Sequence, residues 1–277
     1  MGAERTSPDA EQFLDLIGPA VRQAAAIARA LEGRVENKPK QGEATAVKAA
    51  LTMADTAVQE AILEALRQHF PEVSLQAEED TPLVLEFPKQ APAEVVIDPI
   101  DGTLHSYIEA RGPYACIVGL AVNGRYEAGV VALPREGLCF DAARGGIARR
   151  TRPRGPSRPW KAEATGPRVV VSHELPEPAV ARLKEHGYEV WFGSGGAISV
   201  APLIPGFRAG LRFSPNMKSI SIRGRVGVLL SRVAGGEAWA EDGSLFPDDL
   251  REPARALVVC AEPEDRDVLL RALSDVL

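Results

Sequence analysis

The chain has 277 residues, 45% of them apolar and 25% charged, enough to bury a sizeable core in one large domain or in two lobes sharing a cleft. Only 5% are aromatic, so Val, Leu, Ile and Ala must build that core. A net charge of −6 gives no general attraction to nucleic acid or an acidic membrane surface, although a local basic patch could still hold an anion.

The first residues, MGAERTSPDAEQF, carry acids where a secretory leader carries basic and then apolar residues, and no run approaches the ~18 apolar residues of a membrane span. Gly2 and Thr6 are spaced as in a myristoylation signal, which the composition does not support. Cys116, Cys139 and Cys260 are scattered and odd in number, as buried thiols of a reducing compartment are. The cytoplasm is the expected location.

Apolar residues at helical spacing (Phe13, Ile17, Val21, Ala25, Leu31) predict an amphipathic helix from Pro8 to about Leu31, with a start at Ser7 and a stop at Gly33. Val47, Leu51, Val58, Ile62 and Leu66 predict a second helix from Ala44 to Phe70, ended by Pro71. Short strand-like runs follow: VSLQAEE, EVVIDPID, YACIVGLAVNGRYEAGVVALP and GLCFDAARGG. The third is two strands joined at Asn123-Gly124, a hairpin signal, and the whole predicts an antiparallel sheet beside helices. The stretch 151–168 is rich in Pro, Gly and Arg and reads as a boundary between a lobe of residues 1–150 and a lobe of residues 151–277. Beyond it strands alternate with helices, as in a mixed or parallel sheet covered by helices.

Acids interrupt these apolar patterns at Asp55, Glu78, Glu79, Asp98 and Asp101. Carboxylates at the ends of neighbouring elements repel one another unless cations bridge them. Hard oxygen donors without His or Cys nearby favour magnesium or manganese over zinc. In DPIDGT, Pro99 predicts a sharp turn that aims Asp98 and Asp101 at one site and frees the Ile100 carbonyl. Gly102 permits close backbone approach, and a helix starting at Gly102-Thr103 would offer N–H groups to a phosphate. The bland alternatives are a turn closed by Asp98 and Asp101, an exposed strand end for Glu78-Glu79, a solvated helix face for Asp55, a helix cap for Thr103 and a simple turn for Ser194. His69, His105, His173 and His186 show no ligand spacing and read as surface or core residues.

VVIDPIDGT, with LTMAD and LQAEED upstream in the same order, resembles the inositol monophosphatase and fructose-1,6-bisphosphatase superfamily of magnesium-dependent, lithium-sensitive phosphatases. GRYEAGVVALPREG, VVVSHE, WFGSGGA and VAGG resemble its later segments more loosely. The resemblance implies a layered αβαβα sandwich of mixed α+β and α/β character, an antiparallel-sheet lobe with the metal acids followed by a mixed-sheet lobe with substrate contacts. It implies that Glu78, Asp98 and the Ile100 carbonyl hold one Mg²⁺, with Asp98 shared and Asp101 on a second. Thr103 would accept a hydrogen bond from the attacking water, backed by Asp55 and Thr52, and Glu79 would assist another metal or a water. Gly102, Thr103, Ser194 and Gly195 would contact phosphate and leaving group in a direct in-line attack by metal-bound water. Mn²⁺ would substitute, Li⁺ inhibit, and a homodimer would be ordinary.

The same resemblance places an acid where this chain has Arg223, counting back from Ala234-Gly235-Gly236. Lys218, Arg223 and Arg225 read equally as a substrate-anion cluster or a solvated cationic face, and Asp242, Asp248 or Asp249 as a possible replacement for the acid. Three functions follow: a magnesium-dependent phosphomonoesterase acting on a small phosphorylated polyol, sugar or nucleotide; a weakened relative that binds an anionic metabolite; and a 3'(2'),5'-bisphosphate nucleotidase.

Overall fold

The structure, a computed structural model, describes residues 8–43, 45–153 and 155–277; Gly2, Thr6 and Ser7 lie outside the described residues. Helix α1 (Ala10–Leu31) begins where Asp9 accepts the Gln12 N–H at 2.8 Å and ends ahead of Gly33, whose φ is +72°. The one helix expected over residues 44–70 is two, α2 (Ala46–Ala49) and α3 (Met53–His69). Thr52 is extended between them and forms a capping box with Asp55, so a fresh helix start satisfies amides that a continuous helix would have used. Asp55 therefore belongs to the first turn of α3 rather than to a helix interior.

Strands β1 (Ser74–Gln76), β2 (Ala93–Asp101), β3 (Ala115–Val122), β4 (Arg125–Leu133), β5 (Leu138–Ala143), β6 (Arg149–Thr151) and β7 (Arg158–Pro159) form the first sheet in that spatial order. It is antiparallel except that β1 runs parallel to β2. Asn123 and Gly124, with φ of +53° and +77°, make the two-residue turn between β3 and β4. The sheet continues through β6 and β7 into the Pro- and Arg-rich stretch, as far as Pro159.

The second sheet holds β8 (Arg168–Val171), β9 (Glu189–Phe192), β10 (Phe207–Arg212), β11 (Glu237–Trp239) and β12 (Leu257–Cys260), in the order β11-β12-β10-β8-β9. Strands β8, β9 and β10 are parallel, while β12 runs against both its neighbours. Helices α4 (Glu177–Glu185), α5 (Gly195–Ser199), α6 (Val226–Val233) and α7 (Pro263–Ser274) complete the layers.

Helices α1 and α3 bury Phe13, Ile17, Ile62 and Leu66 against one face of the first sheet. Helices α5 and α6 fill the space between the sheets, where Ile198, Val226 and Leu230 meet Ile117, Val131 and Val170. Helices α4 and α7 close the far face of the second sheet through Leu183, Leu269 and Leu273. This is the αβαβα sandwich the sequence implies. Among the described residues no helix is long and apolar enough to cross a membrane, and all three cysteines are buried and free.

The approach of α6 to β4 depends on Gly129. An ideal Cβ there would stand 2.7 Å from Val226 Cγ1 and 2.9 Å from Leu230 Cδ1. Gly129→Val is expected to cost about 1–3 kcal/mol by overpacking this interface, seen as a lowered urea midpoint; an unchanged midpoint would contradict the packing.

Candidate active site

The strand β2 carries the acids to one face by a bulge. Asp98 pairs with Ile117 and Asp101 with Ala115, so Pro99 and Ile100 together oppose Cys116 alone. Simple alternation would aim residues 98 and 101 at opposite faces, and the extra residue cancels that difference. The sharp turn expected at Pro99 is thus a bulge inside a strand, where a residue without N–H is tolerated. Gly102, with φ of +90°, then turns the chain into a π-helical turn over Thr103–Ile108. A Cβ at 102 would lie 2.7 Å from Ser194 Cβ, so glycine is required by both conformation and space.

Asp98 is 6% exposed, and burial with the nearby charges of Glu78 and Asp101 holds its carboxyl well above the usual range, with Arg223 pulling it part of the way back. Asp98 Oδ1 and Glu78 Oε2 are buried with no hydrogen-bond partner among the described residues. Asp101 Oδ2 accepts the Gly196 N–H at the start of α5. The Ile100 carbonyl accepts from Thr103 Oγ1 at 2.8 Å and keeps a second lone pair.

Asp55 is fully buried. Its Oδ2 accepts both the Thr52 N–H and the Thr52 hydroxyl at 2.7 Å, and its Oδ1 lies 3.1 Å from Thr103 Oγ1. Burial pushes this carboxyl up, while the bonds from Thr52 and Thr103 pull it back. Thr103 faces two acceptors with one proton, so when its hydroxyl donates to Asp55 its lone pairs are free to receive a proton donor. Thr52, Asp55, Thr103, Glu78, Asp98, Ile100 and Asp101 are therefore gathered at the ends of α3, β1 and β2.

Glu79 already has a counter-ion, Lys40, whose Nζ lies 2.7 Å from Oε1. Burial raises the Glu79 carboxyl and Lys40 lowers it. Buried Gln59 clamps the same segment, donating to Glu79 O at 2.6 Å and to Thr81 Oγ1 at 2.9 Å while accepting the Glu79 N–H at 3.0 Å. Lys40 and Gln59 carry no motif; only the three-dimensional fold brings them here.

The basic cluster divides: Lys218 is exposed, as the solvated alternative has it, while the two arginines are taken up by backbone carbonyls. Arg225 is 3% exposed and donates to the carbonyls of Ile220, Asp249 and Glu252. Arg223 donates to Ala77 O at 2.9 Å and Ile97 O at 3.2 Å, the residues just before Glu78 and Asp98. All three candidate replacement acids have partners of their own: Asp248 pairs with Arg144 and Arg232, Asp249 with Arg251, and Asp242 caps the Ser244 N–H.

A cleft of about 180 Å³ runs from Asp101, Gly102, Ser194 and Gly195 past His105 and His173 to Arg212. It lies at the carboxyl ends of the parallel strands β8, β9 and β10, where open α/β sheets receive ligands. His105 and His173, which read from the sequence only as surface or core residues, meet in this cleft: their ring centroids are 4.9 Å apart, and His173 Nε2 meets Ser106 Oγ at 3.1 Å. Burial, aided by His105 and Arg111, pulls His173 down to about 4. Arg212 was also missed, although an arginine ending the apolar strand FRAGLR was the signal that could have found it.

The family model for the inositol monophosphatase family matches residues 12–173. The chain belongs to the inositol monophosphatase family. It is 34% identical over 95 residues to the Nus factor SuhB of Pasteurella multocida, covering 34% of each chain. It is 26% identical over 149 residues to the 3'(2'),5'-bisphosphate nucleotidase CysQ of Shigella flexneri, covering 54% of this chain and 55% of that one. The chain thus spans between a third and about half the length of these curated relatives. The solved IMPase of Thermotoga maritima shares the fold, with a TM-score of 0.75 at 19% identity over 96% of this chain and 98% of that one.

Among the described residues no three His, Cys, Asp or Glu side chains converge as a finished metal cage. The reason is visible: Asp101 leans on Gly196 and Glu79 on Lys40. The two orphaned oxygens of Glu78 and Asp98 nevertheless suit a hard divalent cation, which would replace repulsion with ligation. In chelator at neutral pH, Asp98→Asn is expected to raise stability by roughly 1–3 kcal/mol, because the parent carboxyl must either stay ionised in a buried site or take up a proton to avoid it, a cost that a neutral amide does not carry, and to abolish the rise in Tm expected of the parent protein with Mg²⁺. A lower Tm in chelator would show that the charge is already compensated.

Proposed function

We propose that the protein is a divalent-metal-dependent phosphomonoesterase acting on a small phosphorylated polyol, sugar or nucleotide. The observation that carries this reading is the pair of buried, unpartnered oxygens on Glu78 and Asp98 beside the Thr103–Asp55 hydroxyl–carboxylate pair. Glu78, Asp98, Asp101 and the Ile100 carbonyl are the groups that would hold Mg²⁺, with Mn²⁺ as substitute and Li⁺ as inhibitor. When bound, the metal supplies Lewis acidity to the phosphoryl group and lowers the pKa of water.

The chain's own residues do the rest. Asp55 takes the Thr103 proton in a hydrogen bond, which turns the Thr103 lone pair toward the attacking water and orients it in line with the leaving group. Thr52 fixes Asp55 by two bonds, so the relay keeps one geometry. The amides of Gly102, Thr103 and Gly195 seat phosphoryl oxygens, and Ser194 holds Gly195 in place as the cap of α5. Two lobes divide the work, the first sheet carrying the acids and the second the walls of the cleft. Three buried free thiols support a cytoplasmic setting, and the family resemblance supports a homodimer.

Phosphate release from a substrate panel tests the reading. Release is expected with Mg²⁺ and not with chelator, with Thr103→Ala lowering kcat by about 10²–10⁴-fold as loss of a proton-relay group does. Turnover undiminished in Asp98→Asn would overturn it. One observation favours a second reading, a relative that binds an anionic metabolite without hydrolysis: the guanidinium of Arg223 stands beside the acids where the resemblance places a carboxylate. A ligand that raises Tm while no substrate releases phosphate would select it.

A further inference from the structure

Arg212 closes β10 at the carboxyl edge of the parallel strands, and its side chain is threaded between two glycines. An ideal Cβ at Gly195 would stand 2.1 Å from its Nη1, and one at Gly224 1.7 Å. Any larger residue at either position would expel the guanidinium, so the backbone forms a slot that holds a planar cation in one orientation. Such a fixed fork is how arginine recognises carboxylate and phosphate oxygens.

Nη1 is buried and has no hydrogen-bond partner among the described residues. Arg223, Arg225 and Arg232 all donate to backbone carbonyls, but among the described residues Arg212 donates to none. It is also the one arginine or lysine among the described residues that line the cleft. Glu174, the acid on the same wall, is engaged by the Ser214 hydroxyl, and His173 stays neutral above about pH 4. A buried guanidinium N–H left unpaired is destabilising, and an anion entering the cleft removes that cost.

The geometry points to Arg212 as the residue that selects the leaving group: the substrate carries, besides its scissile phosphate, a second anionic group, a carboxylate or a second phosphate, that bonds the Arg212 guanidinium. This rests on the phosphomonoesterase reading for the position of the scissile phosphate, at Gly102 and Gly195, in the same cleft as Arg212.

The test compares β-glycerophosphate, 2-phosphoglycerate and 1,3-propanediol bisphosphate, whose leaving groups are neutral, carboxylated and phosphorylated. The wild type is expected to prefer one anionic substrate in kcat/KM, and Arg212→Gln to lose about ten- to a hundredfold of that preference, as loss of a charge-assisted hydrogen bond does, mainly through KM. Arg212→Lys should retain part of it. Whichever anionic substrate is preferred identifies the group. A ratio unchanged in Arg212→Gln, or all three substrates weakened alike, overturns the assignment. A second measurement needs no turnover: with Mg²⁺, 3-phosphonopropionate should raise the wild-type Tm more than propylphosphonate does, and Arg212→Gln should erase the difference. If no phosphate ester is hydrolysed, the enzyme reading fails while this comparison still decides Arg212; equal shifts in the wild type overturn it.

Discussion

Buried Asp98 and half-buried Glu78 are held close together, each with a buried oxygen that has no hydrogen-bond partner among the described residues, and the rest of the site is arranged around that repulsion. The arrangement is made by β2. Its bulge turns Asp98 and Asp101 to the same face, and its pairing with β3 on one side and β1 on the other leaves little freedom to relax. The cost is borne by the apolar layers on either side, where α1 and α3 cover one face and α5 and α6 the other. Strained or unfavourable electrostatics of this kind persist only when the surrounding packing over-determines them, and they concentrate where a protein acts.

Much of this was legible in the sequence because it is local. Helix α1, the Asn123-Gly124 turn and the acidic motif at the end of β2 are written in short spacings, and the resemblance carried by DPIDGT supplied the layer order. The split between α2 and α3 was legible too, in Thr52-Met53-Ala54-Asp55, a capping box whose weight was outvoted by apolar periodicity on both sides. The bulge was misjudged as a turn because Pro99 excludes a ladder donor in either structure, and only the partner strand decides between them. Lys40, Gln59 and His173 were not legible, and Arg212 was marked only by its place at the end of an apolar strand. Each acquires its place from pairings across many residues, Lys40 with Glu79 and His173 with Ser106. Arg212 marks the cleft only once β8, β9 and β10 are known to be parallel, and a single strand's pattern does not encode its neighbour.

The two arginines at the site divide into different physical roles. Arg223 is tied to the carbonyls immediately before Glu78 and Asp98, so its charge is fixed beside the acids and lowers the repulsion between them whether or not a cation is present. A guanidinium is always charged and cannot dissociate as a metal ion does. The chain therefore tolerates the cation-free state better than a site built of acids alone, and it attracts cations less strongly, because one positive charge is already built in. Arg212 has no hydrogen-bond partner among the described residues and is held by shape between Gly195 and Gly224. One cation is consumed by the protein's own backbone and the other is left for a ligand, and this difference in partners, rather than the count of basic residues, separates structural charge from recognition in this cleft.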